Sequence, residues 1–447
     1  MKSVFIFRRD FRLNDNLGLI ECIKHSKEIL PIFILTPEQI TNNEYFSNNG
    51  FQFMLESLNE LDVQYFYGDN ISILTKLLTE YKYTSIFFNK DYTLYSQKRD
   101  NEINNFCIKH NIECHMIEDY LLLPINSYLK NDGTTYLKYT PFKDNAKKIP
   151  VPLPIKTNVS KIKITSFKSS FQIDINTYKK ETLNTTPAIK GGRINGLKIL
   201  KNMSNYIDYD KERNDLITPT THLSAYIKFG CISIREVYEI IYKLFGIEHG
   251  LINQLYWREF YYYLAYYNPH VLEGKSLKLK YNNIKWDNNT DNFNAWCNGV
   301  TGFPSVDSGM RELNKTGYMH NRTRLITSSI LIKILNCDWR MGEKYFATKL
   351  IDYDPIVNNG NWQWSAGCGA DSQPYFRIFS PWQQAIDNDP ECLYIKKWIP
   401  ELSNIPNKDI LKWDEARHKY NVDYPAPIVD YKKMRVEIID TYKKGLM

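Results

Sequence analysis

The chain has 447 residues, 43% of them hydrophobic and 24% charged, with a net charge of +7. That length predicts two or three domains and a core large enough to need no disulfide or metal staple. The balance excludes wholesale disorder, no run of about 18 apolar residues exists to cross a membrane, and eight scattered cysteines form no CxxC pair, so no metal site is expected. The first residues, MKSVFIFRRDFRLND, turn charged after one short apolar run. That is a strand and a loop, not an export signal, so a soluble intracellular protein is expected, in the cytoplasm or nucleus.

The N-terminal part alternates strands and helices. Val4–Phe7 reads as a strand, Asn16–His25 as a helix, and Leu30–Leu35 as a strand opened by Pro31. Phe51–Leu61 and Ile71–Tyr81 read as helices, Ser85–Asn89 as a strand, Ser96–His110 as a helix and Glu113–Ile117 as a fourth strand. This alternation predicts an α/β domain, a Rossmann-like parallel sheet covered on both faces, over residues 1–130. From 131 to 195 prolines cluster, Gly191–Gly192 follows, and periodicity fades, which predicts a long linker. Residues 196–447 read as an all-α domain. Its helices include Ile252–Tyr267, His320–Leu335 with Ile326, Ile330 and Ile334 at every fourth position, and Tyr431–Tyr442.

Charge is unevenly spread. Residues 1–130 hold 13 Lys+Arg against 17 Asp+Glu, a net of −4, so the remainder carries +11. A polyanion partner is therefore sought beyond residue 130. The first strand is followed by Arg8-Arg9-Asp10-Phe11-Arg12 and not by GxGxxG, and no P-loop, HExxH or GxSxG occurs. Dinucleotide binding of the usual kind, NTPase, metalloprotease and serine-hydrolase chemistry fall away.

Three stretches carry unusual polar and aromatic content. Gln254, Trp257 and Arg258 share one helix face by i+3 and i+4 spacing, a face suited to a planar polar ligand such as a base. Asn321, Arg324 and Leu325 share another, at a helix start where unpaired N–H groups can receive anions. The densest stretch holds Asp352, Asp354 before Pro355, Asn358, Gly360 for a tight turn, and Trp362 and Trp364. Two loop carboxylates there suit sugar hydroxyls. The two tryptophans would share a face in extended chain and splay apart in a helix. Each stretch also has a plainer reading, as core aromatics and solvated charges.

Together these stretches resemble the photolyase/cryptochrome family of flavoproteins, and class I photolyases most. The resemblance runs from Val4 to about Tyr442. It is carried by FRRDFRLNDN, by DYTLYSQKRD at Asp91–Asp100, by TTHLSAYIKFGCIS at Thr220–Ser233 and by LYWREFYYYL at Leu255–Leu264. Further on, it is carried by TGFPSVDSGMRELNKTGYMHNRTR at Thr301–Arg324, by the run from Asp338 to Asp371, and by PYFRIFSP at Pro374–Pro381.

The resemblance implies an α/β domain, a linker and a helical domain holding FAD. Flavin contacts fall on Tyr209, Thr220, Thr221, Leu223, Ser224, Arg258, Arg324, Asp352, Asp354 and Asn358, with Asn358 beside the reactive nitrogen. It implies a tryptophan relay from Trp362 through Trp339 to Trp286. It implies a lyase acting on UV-damaged DNA, mainly duplex: a cyclobutane pyrimidine dimer is flipped out and split by electron transfer from photoexcited reduced FAD. Trp257 and Trp364 form the aromatic wall, Gln254, Asn321 and Leu325 line the pocket, and Arg213 and Arg322 hold flanking phosphates. A monomer is expected, with no membrane partner.

One departure sharpens the choice among relatives. Gln254 stands where dimer photolyases of this class carry Glu, and Gln there resembles the (6-4) photolyases. Those use a histidine pair; His320 can stand for the first, but Leu325 occupies the second place. A DASH-type single-strand enzyme usually has Tyr where Trp364 stands, and signalling photoreceptors commonly add a C-terminal tail that this chain lacks. Dimer repair is therefore the leading expectation. The resemblance puts any antenna chromophore, deazaflavin or folate, at the loop Asp91–Asp100; Tyr95 and Ser96 replace the Asn–Glu pair that goes with folate, which leaves a deazaflavin or no antenna as the alternatives.

Overall fold

The computed structural model describes residues 1–158, 167–179, 183–372 and 374–447, so parts of the expected linker lie outside the described residues. The chain divides into two compact units. The first comprises Met1–Asn184, Ile189–Ile207 and Leu223–Tyr267; the second comprises Thr185–Ala188, Asp208–His222 and Asn268–Met447.

The first unit is built on five parallel strands: β1 Lys2–Ile6, β2 Glu28–Leu35, β3 Gln64–Tyr67, β4 Ser85–Asn89 and β5 Glu113–Ile117, in the order β3-β2-β1-β4-β5. Helices α1 Leu17–His25, α2 Asn48–Leu58, α3 Asn70–Tyr81 and α4 Leu94–His110 form the crossovers. β1 is buried on both faces, Val4 and Ile6 within one layer and Phe5 on the other, as a parallel sheet sandwiched by helices requires. The helices begin where short polar side chains cap them: Asn16, Ser47, Asp69 and Thr93 each accept a backbone N–H. These caps start α2 and α4 earlier than apolar periodicity predicts.

Three expectations need correction here. Pro31 does not open β2; it is the fourth residue of an interior strand. The Phe7 N–H donates to Ile32 O, so Ile32 faces β1 and Pro31 faces the β3 side. The β3 ladder starts only at Ile32, so the missing donor falls where no partner is required. β3 was not anticipated, because it is a four-residue edge strand with only Phe66 buried. The loop expected over Asp91–Asp100 is mostly helix: Tyr95 and Ser96 lie in the first turn of α4.

The linker region also contains a helix, α5 Tyr139–Ala146, whose buried Tyr139 and Phe142 pack on Phe260 of a later helix in the same unit. Pro141 is tolerated because it falls in the first turn. The unit is completed by α6 Arg193–Lys201, then by α8 Ser224–Lys228, α9 Ile234–Phe245 and α10 Gly250–Tyr267, while the short α7 Tyr209–Glu212 belongs to the second unit.

The second unit is helical. Its centre consists of α11 Thr290–Asn298, α12 Pro304–Thr316, α13 Asn321–Lys333, α14 Trp339–Lys349 and α15 Pro355–Ala366, and its last helix is Tyr431–Leu446. The period-four isoleucines of α13 are wholly buried in one cluster with Trp296, Trp339, Phe346 and Trp362. Gly360 lies inside α15 and makes no tight turn. The turn reading fails because Asp354 caps a helix that begins at Pro355, a favoured first position. Trp362 and Trp364 therefore splay apart: the first is buried and the second half-exposed.

Candidate active site

α10 is buried around most of its circumference. Its half-exposed residues in the first three turns are Asn253, Gln254, Trp257 and Arg258, one stripe at i, i+3 and i+4 spacing. The stripe is braced from within. Trp257 stacks face to face on Tyr139 at 3.7 Å and 9°, so one face of the indole is taken. Arg258 donates to the Glu259 carboxylate at 2.9 Å and to the Tyr120 carbonyl at 3.0 Å, and lies over the rings of Tyr120 and Tyr262. Glu259 is fully buried and also accepts from the Tyr128 hydroxyl at 2.8 Å and the Leu122 N–H at 3.0 Å. Burial raises the Glu259 pKa against the pull of Arg258 and these donors. In the same unit Leu223 is buried and Ser224 exposed, at the start of α8.

In the second unit the polar residues converge on the start of α13. His320 caps it: Nδ1 accepts from the Arg322 N–H at 3.2 Å. That acceptor role places the proton on Nε2, which is buried without a partner. Burial, reinforced by the charges of Arg324, His222 and Arg322, pushes the His320 pKa down to about 4. Arg324 donates through Nη2 to both Asp352 oxygens, at 3.2 and 3.0 Å. Tyr318 joins the group: its hydroxyl is 3.1 Å from Thr220 Oγ1, its ring stacks on His222 at 4.3 Å, and Arg324 lies over it. His222 Nδ1 is a second buried atom without a partner. Thr221, beside it, is half-buried.

Asp354 is partly committed, because its Oδ1 accepts from the Ile356 and Val357 N–H groups as the cap of α15. Asn358 is one turn further on. Its Nδ2 donates to the Glu343 carbonyl at 3.1 Å and to Glu343 Oε1 at 3.2 Å. Two acceptors on one side fix which way the amide points, so Oδ1 is turned away as an acceptor. Glu343 was not apparent from sequence, because it belongs to a different helix from the one it orients.

Arg213, exposed, and Arg322 come together although 109 positions separate them. Arg322 donates to Asn214 at 2.5 Å, and burial followed by the Arg213 charge lowers its pKa. Arg322 Nε is buried without a partner. The Arg213 charge acting on Arg322, whose Nε has no partner, is an arrangement suited to an anion. Tyr209 hydrogen-bonds Arg213 one turn along α7. Asn321 is exposed and Leu325 half-exposed on the same helix start as Arg322.

Trp362 and Trp339 are each 2% exposed in the same core cluster, and the half-buried Trp286 packs against it. Gly342 makes room for the Trp362 ring: a Cβ there would lie 2.2 Å from Cη2. Trp362 also meets Trp296 at 6.2 Å and Phe346 at 5.0 Å.

Comparisons with known proteins decide the family. The FAD binding domain of DNA photolyase matches residues 251–444, and the DNA photolyase domain matches residues 3–157. A deoxyribodipyrimidine photo-lyase of Buchnera aphidicola is 35% identical over 464 residues, covering 98% of this chain and 97% of its own. The chain belongs to the DNA photolyase family. The crystal structure of an archaeal photolyase from Sulfolobus tokodaii, with two FAD molecules, matches at 37% identity and a TM-score of 0.88, over 99% of this chain and all of that one. A bacterial class III photolyase from Agrobacterium tumefaciens matches at 27% identity and a TM-score of 0.90, over 99% and 97% of the two chains.

The FAD-binding domain is thus present, and the second unit's residues fit such a ligand. The unpartnered His222 and His320 nitrogens, the Thr220–Tyr318 hydroxyl pair and the Arg324–Asp352 pair form a polar cluster suited to hydroxyls and phosphate oxygens. Sequence reading had passed over His222 and Tyr318. The signal for them was a histidine inside TTHLS and an aromatic just before His320, each weak by itself. In the first unit, Arg9, Asp10, Asn89, Lys90, Asp91 and Tyr120 line a small cleft at the carboxyl ends of β1 and β4. That is the switch point of the sheet, where β1's neighbours lead off in opposite directions. Among the described residues no helix is long and apolar enough to cross a membrane.

Proposed function

We propose that this photolyase-family chain repairs cyclobutane pyrimidine dimers in duplex DNA as a monomeric, intracellular class I enzyme. The observation that carries this reading is the start of α13. There Leu325 offers no second histidine beside His320, and Arg322 with Arg213 supplies cationic groups for a phosphate. A (6-4) mechanism needs a histidine pair; dimer splitting needs none.

Bound reduced FAD supplies the electron when excited by light. The chain's residues do the rest. Thr220, Thr221, Arg324, Asp352, Asp354 and Tyr209, all in the second unit, would hold the cofactor. Asn358, its amide fixed by Glu343, would offer Oδ1 to the reactive nitrogen. Trp364 and Trp257 would each stack on an extruded base, a contact worth about 1–3 kcal/mol. Gln254, Asn321 and Leu325 would contact the lesion, and Arg213 and Arg322 its flanking phosphates. Trp362, Trp339 and Trp286 would refill the electron hole during photoreduction. A second, light-harvesting chromophore would occupy the cleft at Arg9, Lys90 and Tyr120.

The deciding experiment is blue-light repair by chemically reduced protein. The substrates are duplexes with either a cyclobutane thymine dimer or a (6-4) photoproduct, and a single strand with the dimer. Repair of the duplex dimer is expected, and Gln254→Glu should raise its quantum yield. Repair of the (6-4) product alone would overturn the class assignment.

A further inference from the structure

One buried charge of the second unit is unused by the site described above. Lys333 ends α13 at 2% exposure and is the one buried lysine among the described residues. Its Nζ donates to the carbonyl oxygen of Arg377 at 2.9 Å. Among the described residues no carboxylate offsets it; the charge that bears on it is the like charge of Arg377, which adds to burial in pushing the ammonium pKa down to about 8. A buried cation without a counter-ion is a stability cost that a methionine at the same place would not carry. The chain neighbours of Lys333, namely Leu331, Ile332, Ile334 and Leu335, are all buried, a setting in which packing alone would favour an apolar side chain.

What the lysine secures is the segment 374–380, which has no regular secondary structure. Other braces hold the same segment. Tyr375 stacks on the buried Tyr442 at 5.2 Å and 10°, and the Tyr431 hydroxyl donates to Phe379 O at 3.4 Å. On this brace Phe376 stands 59% exposed, edge-on to Tyr375 at 5.5 Å and next in chain to Arg377. An exposed aromatic beside a guanidinium, on a fixed backbone, suits a base face and a phosphate. Lys333 is also eight residues along α13 from Leu325, about 12 Å along the helix axis. The brace therefore ties the segment to the helix that carries lesion-contact candidates at its other end.

We propose that Lys333 is a positioning residue: it clamps the Arg377 carbonyl and thereby sets Phe376 and Arg377 for contact with damaged DNA. The proposal rests on the DNA-repair reading. Its test uses the full-length, FAD-loaded protein in the dark. Lys333→Met removes donor and charge in an unbranched side chain one atom shorter; Lys333→Gln keeps a donor without the charge. The first readout is tryptic cleavage of the Arg377–Ile378 bond, whose carbonyl Lys333 holds. The second is the dissociation constant for a duplex with one thymine dimer, relative to the undamaged duplex.

Lys333→Met should make that bond trypsin-sensitive and weaken dimer binding about tenfold, as small misplacements of contact groups do. Its thermal midpoint should be unchanged or higher, because the buried charge is gone. Lys333→Gln should fall between Met and wild type on both readouts. Unchanged cleavage and affinity would overturn the proposal. So would a lowered midpoint with the bond still protected, which would mean a packing role. If the wild-type protein shows no preference for the damaged duplex, the DNA-repair reading fails, and the cleavage readout by itself decides whether Lys333 clamps the segment.

Discussion

Two half-exposed helix stripes, α10 in the first unit and the start of α13 in the second, present similar residues to solvent and treat them differently. On α10, Arg258 is paired with Glu259, hydrogen-bonded to a carbonyl and sandwiched by two tyrosine rings, and Trp257 has a tyrosine across one face. At the start of α13, Arg322 is subject to the charge of another arginine, and one ring nitrogen each of His320 and His222 is buried without a partner. Buried polar groups in folded proteins are satisfied as a rule, so the second pattern marks a surface completed by a ligand, whereas on the first Arg258 and Trp257 are already partnered and Asn253 Oδ1 is the one buried acceptor left over. The α10 stripe offers a preformed rigid wall; the α13 stripe offers unused donors.

The comparison can be broken most severely from the α10 side. Glu259→Ala should strand Arg258, Tyr128 and the Leu122 N–H, costing about 3–5 kcal/mol, read as a large drop in the urea midpoint. A small drop would mean that the α10 network is not self-sufficient. Next in size is the tryptophan core: Trp362→Phe should abolish photoreduction of bound oxidised flavin, yet spare repair by pre-reduced enzyme, in a steady-state light assay. Loss of repair with pre-reduced protein would assign Trp362 another role.

On the α13 side, Arg213→Gln with Arg322→Gln should leave stability unchanged. Affinity for a dimer-containing duplex should fall, and the slope of log affinity against log salt should decrease by about 0.9 for each phosphate that is no longer neutralised. Destabilisation in place of a salt effect would make the pair structural. The smallest effect concerns His320. Its folded pKa, about 4, lies below the ordinary 6.5, so the neutral ring contributes stability above 6.5 that is lost as pH falls toward 4. His320→Asn keeps a cap acceptor and should reduce the pH slope of the urea midpoint over that window, the remainder belonging to His222, whose pKa burial also lowers.

Much of the fold was legible because its signals are local. Ser85–Asn89 and Glu113–Ile117 are strands with the bounds that their apolar runs predict, and the isoleucine period of α13 marks its buried face. β3 and α5 escaped notice because one is a short edge with a single buried residue and the other an eight-residue helix with proline in its first turn. The site divides in the same way. Spacing along one helix identified Gln254, Trp257 and Arg258 as a single stripe. Glu343, Tyr318 and Lys333 act on groups 15, 98 and 44 positions away, and no periodicity encodes such pairs.

The sequence by itself determined the α/β and helical elements, the family resemblance and the residue types available for chemistry, because helix and strand periods and short motifs are properties of neighbouring residues. Only the tertiary structure decided which polar groups end satisfied and which do not. It turned the Asp354–Trp364 stretch from a turn into a capped helix, aimed the Asn358 amide through Glu343, set Arg322 against Arg213 and buried Lys333 beneath Arg377. The physical reason is that hydrogen bonding, burial and like-charge proximity depend on what the rest of the chain brings alongside a residue, and that is settled by packing.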